Sequence, residues 1–226
     1  MKNHKKEITR NLRKQKRLLF KDQVLRKDID ESLEFIHPYS ESVNISDVRL
    51  IIIGQDPTIR NKESRQKITI TLNLDKNDSL KKYLEEVCNK LNIDLKEEVY
   101  ATNLYKCFFN DPPADDESIL YRHFKYWMDF LIKELKPFGN TQIITLGEPV
   151  IKQLIHSGNK KVNCFWDYTG KTKSNKDFKF IRPEDNYLQK RIYPLPHQPT
   201  VYQNKFYKKY FNNYLSFINQ TSNKSS

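Results

Sequence analysis

The sequence predicts one α/β domain, a three-layer α/β/α sandwich with a central, mostly parallel sheet of about four strands. Four short apolar runs rich in β-branched residues recur along the chain, at 48–53, 99–102, 141–146 and 191–195. Segments with apolar residues at helical spacing separate these runs. Strands that alternate with helices are typical of a parallel sheet covered on both faces. We find no linker or internal repeat that would divide the domain.

The first 37 residues precede the first strand and predict a helical extension packed on the main domain, which we place at 38–219. Residues 1–27 are basic, with apolar residues at loosely helical spacing. They predict a helix that docks on the domain or contacts phosphate, or that is simply solvated. Residues 28–37 predict a second short helix, ended by Pro38.

The other segments follow from their periodicity and turn residues. Residues 68–74 alternate and predict an edge or hairpin strand. Ser79 is the expected N-cap of a helix over 79–91. Further helices are expected at 117–136, 150–156 and 202–218, the last with an aromatic face. Residues 158–185 predict an irregular region, a DNA-facing insertion or a solvated loop, with a short strand at 178–181, and residues 220–226 predict a disordered tail.

Composition narrows the class of protein. The chain has 226 residues, a formal net charge of +12 and 37% hydrophobic residues, so a packed core is feasible. The positive charge favours a polyanionic partner, although a lysine-rich solvated surface explains it equally well. No apolar run spans a bilayer, and the first residues lack the apolar core of a signal peptide. We therefore expect a soluble, cytoplasmic monomer without a membrane partner.

Chemically useful residues follow all four predicted strands. Asp56 follows the first strand, Asn103 the second, Gly147 the third and His197 the fourth. The carboxyl ends of parallel strands meet at one edge of a sheet, where ligands bind. Each residue alone has an ordinary explanation as a turn or loop residue, but together they predict one site.

These segments resemble motifs of the uracil-DNA glycosylase superfamily. Residues 54–58 read Gly-Gln-Asp-Pro-Thr, against Gly-Gln-Asp-Pro-Tyr in the main branch. Residues 195–200, Leu-Pro-His-Gln-Pro-Thr, resemble a variant of its His-Pro-Ser motif. Residues 102–107, Thr-Asn-Leu-Tyr-Lys-Cys, are similar to the iron–sulfur branches. The resemblance covers about residues 48–218 and implies a glycosylase that removes uracil flipped out of single- or double-stranded DNA during base excision repair.

The resemblance assigns roles that also suit the chemistry of glycosidic cleavage. Asp56 would stabilise the sugar cation and orient water, and His197 would donate a hydrogen bond to the leaving base. The expected base-binding residues are Gln55, Thr58, Leu72 and Asn103. The expected DNA-binding residues are Gly147, Pro196, Gln198, Thr200 and Val201, with Val201 the candidate wedge into the duplex.

Several positions depart from the family pattern. Thr58 replaces a tyrosine associated with excluding the methyl group of thymine, and Leu72 or Asn73 stands where an aromatic side chain would stack on the base. Gln198 alters the His-Pro-Ser motif. The three cysteines cannot complete a four-cysteine cluster site, so we expect no metal and no cofactor.

Two functions remain open at this stage. The first is a uracil-DNA glycosylase. The second is a glycosylase-fold protein with weak or no catalysis that acts as a DNA-binding or accessory factor. A nucleotide-binding domain of another class is disfavoured because neither GxGxxG nor GxxxxGK[ST] occurs.

Overall fold

The computed structural model describes residues 1–157, 160–168 and 177–222, and its centre is a four-stranded parallel sheet. The strands are β1 (Leu50–Gly54), β2 (Val99–Asn103), β3 (Gln142–Leu146) and β4 (Ile192–Leu195). Their order across the sheet is β2-β1-β3-β4. Nearly every strand residue is buried, which explains the continuous apolar runs of the sequence.

Helices cover both faces of the sheet and confirm the predicted α/β/α architecture. They are α1 (Lys2–Lys21), α2 (Gln23–Asp28), α3 (Lys62–Arg65), α4 (Ser79–Lys90), α5 (Ser118–Leu135), α6 (Glu148–Leu154), α7 (Val162–Phe165), α8 (Gln198–Gln203) and α9 (Lys205–Ser222). One group of mutually contacting helices contains α4, α8 and α9, and another contains α1, α2 and α5. No helix in the described ranges is long and apolar enough to cross a membrane.

The strand register places the carboxyl ends of the strands side by side. Gly54, the last residue of β1, is paired with Asn103, the last residue of β2. Leu146 at the end of β3 is paired with Leu195 at the end of β4. The four loops that carry the predicted site residues therefore leave the sheet from one edge.

The helix predicted over residues 28–37 is wrong. Helical structure ends at Asp28, and the chain then runs antiparallel to β2 and to the segment after it, with bridges from Ile29 to Phe109 and from Tyr39 to Ala101. The backbone N–H of Ile36 donates to the carbonyl of Lys106 at 2.8 Å. Because β2 is an edge strand, this pairing satisfies polar groups that a local helix would leave exposed.

The strand predicted over residues 68–74 is also wrong. Thr71–Asn73 form a 3₁₀ turn, and both Leu72 and Asn73 have a φ of 56°. The N-cap of α4 is Asp78 rather than the predicted Ser79, because the Asp78 carboxylate accepts a 2.9 Å hydrogen bond from the N–H of Lys81.

Part of the region over 158–185 belongs to the core. Trp166 is buried there, so for this residue the predictions of a DNA-facing insertion and of a solvated loop are both wrong. Its indole N–H donates to the carbonyl of Pro194 at 2.8 Å, and its ring stacks on Tyr214 with centroids 4.2 Å apart. Ile181 makes a single bridge to Ile192 instead of the predicted strand. Residues 158–159 and 169–176 lie outside the described residues.

The C-terminal helix predicted at 202–218 is divided in two. Helix α8 ends before Asn204, which has extended backbone angles, and the side chain of Asn204 accepts a hydrogen bond from the N–H of Phe206 in α9. Helix α9 continues to Ser222, so residues 220–222 of the expected tail are helical. Residues 223–226 lie outside the described residues.

Candidate active site

A cavity of about 840 Å³ opens at the carboxyl edge of the sheet. All four strand-end loops contribute to its wall. Among the lining residues are Ile36, Gly54, Gln55, Asp56, Thr58, Lys67, Leu72, Asn73, Lys76, Asn103, Gly147, Pro196, His197, Thr200 and Tyr207. The structure thus brings together both predicted catalytic residues and all four predicted base-binding residues.

Asp56, which is half-buried just after β1, lines the cavity together with two other carboxylates, Asp78 and Glu148. One of its oxygens, Oδ2, accepts a 2.9 Å hydrogen bond from the backbone N–H of Thr58. Burial raises the pKa of Asp56 to about 6, while Thr58 and the charge of Arg65 act in the opposite direction. The group is therefore still mainly ionised at pH 7, but its charge is poorly solvated.

The loop that carries Asp56 is held from behind. The Thr58 hydroxyl oxygen accepts a 2.9 Å hydrogen bond from the N–H of Phe109. The fully buried guanidinium of Arg65 donates to the carbonyls of Ile59 and Phe109, each at 2.7 Å. Sequence reasoning missed Arg65, because nothing in a polar segment distinguishes a buried arginine from a solvated one.

Asn103 supplies a buried amide to the cavity wall. Its side chain is 1% exposed, and its Oδ1 has no hydrogen-bond partner within the described residues. A Cβ built on Gly54 would lie 2.5 Å from that oxygen and 2.8 Å from a methyl carbon of Leu72. Glycine at position 54 therefore leaves the space that the Asn103 amide occupies.

A buried ion pair lies beneath Asn103. Lys106 and Glu134 are both fully buried, with 2.7 Å between Nζ and Oε2. The other Glu134 oxygen, Oε1, accepts hydrogen bonds from Tyr100 at 2.7 Å and Thr102 at 2.9 Å. Lys106 also donates to the backbone carbonyl of Asn103. This cluster anchors the end of β2 from below.

His197 lies at the exposed rim of the cavity, directly after β4. Partial desolvation lowers the pKa of its imidazole below the usual 6.5, so the ring is neutral at pH 7. A Cβ on Gly147 would lie 3.6 Å from the Cβ of His197, so the loops after β3 and β4 are neighbours.

Leu72 is one of the two residues that stand where the resemblance implies an aromatic side chain, and its backbone conformation is unusual. Two consecutive non-glycine residues, Leu72 and Asn73, adopt left-handed angles, a conformation that costs energy and is found mainly where surrounding structure enforces it. The Asn73 amide donates to Asp78, and its Oδ1 has no hydrogen-bond partner within the described ranges. Tyr207 of α9 is an aromatic residue of the cavity wall that the sequence pattern did not reveal.

The predicted DNA-binding residues differ in how exposed they are and in whether they line the cavity. Thr200 is exposed beside the cavity, whereas Gln198 is half-buried and outside its lining. The Gly147 N–H is occupied by the Leu195 carbonyl at 2.8 Å, and Pro196 is buried. Val201 is 1% exposed, and its assignment as a wedge is wrong because the side chain packs in the core.

The cysteines do not fit an iron–sulfur cluster. Cys88 and Cys107 are buried, Cys164 is exposed, and all three are free thiols. Within the described part of the chain, no three His, Cys, Asp or Glu side chains come together as metal ligands. No step of the chemistry is therefore assigned to a cluster.

Comparison with known proteins agrees with this geometry. The family model described as the Uracil DNA glycosylase superfamily matches residues 41–219. A search of curated proteins found no match. The matched range contains all four strands and every lining residue of the cavity except Ile36, and it excludes α1 and α2.

Proposed function

We propose that this chain, which belongs to the uracil-DNA glycosylase superfamily, hydrolyses the N-glycosidic bond of uracil flipped out of DNA. The observation that carries the proposal is the common cavity of Asp56, Asn103 and His197, which come from three different strand ends. The carboxylate and the imidazole suit the charges that develop as this bond breaks, and the amide suits recognition of the base.

Asp56 acts on the sugar. As the bond from C1′ to N1 breaks, positive charge develops on the sugar ring, and a nearby carboxylate stabilises it. Water then adds to C1′, and the departing base finally takes up a proton, so water is the only co-reactant. Because burial leaves Asp56 poorly solvated, its interaction with the cation is stronger than in bulk water.

His197 acts on the base. The electron pair of the broken bond passes to uracil, whose carbonyl oxygen becomes negatively charged. A neutral imidazole donates an N–H hydrogen bond to this oxygen without itself losing a proton. The lowered pKa of His197 favours the neutral ring in this role.

Asn103 selects the base. An amide presents a donor and an acceptor together, a pattern that matches the O4 and N3–H edge of uracil and opposes that of cytosine. Because the side chain is buried, a mismatched base leaves polar groups unpaired, which is strongly unfavourable. The Oδ1 of Asn103 is buried and has no hydrogen-bond partner within the described residues, so it can accept from N3–H once the base displaces the side chains that cover it.

The direct test uses an end-labelled oligonucleotide with one uracil, in single- and double-stranded form. The protein is incubated with this DNA, abasic sites are cleaved with alkali, and strand breaks at the uracil position are measured. We expect breaks with uracil and none with cytosine at that position. Tight DNA binding without breaks on either form would reject the catalytic proposal.

That outcome would support the second candidate, a glycosylase-fold protein that binds DNA without cleaving it. The observation that favours this candidate is Leu72, since base–aromatic stacking contributes about 1–3 kcal/mol per base and an aliphatic side chain does not replace it. The presence of Asp56 and His197 in one cavity favours catalysis, because DNA binding alone needs neither of them.

A further inference from the structure

Helix α1 carries most of the excess charge of the protein. It contains nine lysine or arginine residues and one acidic residue, Glu7, so it has +8 of the formal net charge of +12. Helix α4, by contrast, mixes three lysines with two glutamates. Charge of one sign is therefore concentrated on a single element that lies outside the family-matched range.

Five cations of α1 form a basic stripe, defined as Lys6, Arg10, Arg13, Lys14 and Arg17. All five are exposed and line a shallow depression of about 240 Å³ on the helix surface. None forms an ion pair with a carboxylate of the described residues, whereas Lys16 nearby is paired with Glu34 at 3.0 Å. From Lys6 to Arg17 the stripe extends about 16 Å along the helix axis. Unpaired like charges at this spacing repel one another, and an anionic ligand relieves that repulsion.

The opposite face of α1 is fixed to the domain. His4, Ile8, Leu12 and Leu19 are buried there, and the Gln15 side chain donates to the Tyr126 carbonyl of α5 at 3.0 Å. Because the apolar face is already occupied, the helix cannot insert it into a bilayer as an amphipathic membrane anchor does. The stripe therefore fits an anionic polymer better than a lipid surface.

The stripe is connected to the cavity by a short segment of chain. Lys16 of α1 forms an ion pair with Glu34 at 3.0 Å, and its Nζ lies 5.6 Å from the ring centroid of Phe35, so α1 contacts the segment that leads to His37. Burial and the charge of Arg13 lower the pKa of His37. The His37 carbonyl accepts hydrogen bonds from both the N–H and the hydroxyl of Thr71, each at 3.0 Å. Ile36, which precedes His37, and Leu72, which follows Thr71, both line the cavity.

Two further lysines continue the positive surface at the cavity itself. Lys67 is exposed, Lys76 is half-buried, and both line the opening beside Leu72. Positive groups thus lie both on α1 and at the cavity, and the segment that contains His37 contacts both.

We propose that the basic stripe of α1 binds the phosphate backbone of DNA flanking the nucleotide held in the cavity. The site takes a polyanionic strand without reading its sequence, since it offers only cations and no base-specific groups. The inference relies on the proposed function for the identity of the substrate, but its binding test does not require catalysis.

The test compares Arg13→Gln/Arg17→Gln with the matched control Lys82→Gln/Lys90→Gln. The control removes the same charge from exposed positions of α4, in the other group of helices. Binding of uracil-free duplex DNA is measured by fluorescence anisotropy over a range of salt concentrations. We expect the slope of log K against log salt to become shallower by about two for the stripe variant, with at least a tenfold loss of affinity near 0.1 M salt, and little change for the control.

Excision kinetics supply an independent readout. The stripe variant should raise KM for a long uracil-containing oligonucleotide and leave kcat unchanged, while KM for a five-nucleotide substrate hardly moves. Equal losses of DNA affinity in the stripe variant and the control would overturn the proposal. The proposal would also fail if the stripe variant kept its DNA affinity but lost a binding to anionic vesicles that the wild-type protein shows. If the wild-type protein excises nothing but the salt slopes differ as expected, the proposed function fails and the stripe assignment stands.

Discussion

Two carboxylates of this protein, one fully buried and one half-buried, differ in how their negative charge is compensated. Glu134 lies 2.7 Å from a lysine ammonium and accepts hydrogen bonds from two hydroxyls, all deep in the core. Asp56 accepts one backbone hydrogen bond at a cavity wall, and no cation lies within 4 Å of it among the described residues. The first arrangement stabilises the fold, and the second leaves a negative charge available to an incoming ligand. The number of cations and hydrogen-bond donors around a carboxylate, and not its burial alone, distinguishes a structural carboxylate from a reactive one.

The largest effect should come from Asp56→Asn. This change keeps the shape of the side chain and removes its charge, so excision of uracil should fall by about 10²–10³-fold. DNA affinity should hold or rise, because a carboxylate near phosphates repels them. Single-turnover excision and anisotropy measure the two quantities, and Asp111→Asn, at an exposed loop position, is the matched control. Full activity in Asp56→Asn would remove this residue from the mechanism.

The two carboxylates should also respond with opposite signs when stability is measured. Glu134→Gln leaves the Lys106 ammonium without its counter-charge and should lower the free energy of unfolding by about 3 kcal/mol. Asp56→Asn removes a poorly solvated charge and should raise it by about 1–2 kcal/mol at pH 7. Urea denaturation of both variants measures the difference.

A second variant separates the ion pair from the hydrogen bonds of Glu134. Lys106→Met/Glu134→Gln removes both charges and retains an acceptor for Tyr100 and Thr102, so it should recover much of the lost stability. If Asp56→Asn instead destabilises the protein as much as Glu134→Gln, the contrast between the two carboxylates is wrong.

The pH dependence sharpens the same contrast. Because the pKa of Asp56 is raised to about 6, excision should fall about tenfold between pH 7 and pH 5 as the carboxylate becomes protonated. His197→Ala should retain this acid limb, whereas Asp56→Asn should abolish it. The free energy of unfolding should change in the opposite direction and rise as the pH falls, because a raised pKa means that the folded state binds the proton more tightly than the unfolded state does. The gain in the free energy of unfolding of Asp56→Asn over the wild-type protein should be present at pH 7, shrink as the pH falls through 6 and vanish below about pH 4.

The smallest effect concerns selectivity. Thr58→Tyr should retain uracil removal and reduce the relative rate on 5-substituted uracils by a few fold, because a larger side chain occupies space in the cavity. It also removes the hydroxyl that accepts from the Phe109 N–H, so stability should fall by about 1 kcal/mol. Rates on uracil and a 5-substituted uracil in both proteins give the ratio, and an unchanged ratio would assign the selectivity to another residue.

Local sequence was informative wherever one interaction dominated. Buried parallel strands need apolar residues on both faces, so the runs at 48–53 and 99–102 revealed β1 and β2 directly. Since parallel strands end at the same edge of a sheet, the sequence alone predicts that the residues after them lie together. Asp56, Asn103 and His197 were accessible by this argument.

The sequence by itself determined the layered architecture, the edge that carries the cavity and the chemical groups within it, because these depend on periodicity and on strand polarity. Only the tertiary structure decided that residues 29–39 cover the edge of β2 instead of forming a helix, because their hydrogen-bond partners lie about 70 residues away in the chain. It likewise decided that Arg65, Trp166 and Val201 are buried, since burial depends on which elements meet and not on residue type. The raised pKa of Asp56 is also decided by the tertiary structure, because it is caused by burial in a cavity whose walls come from the loops after four different strands.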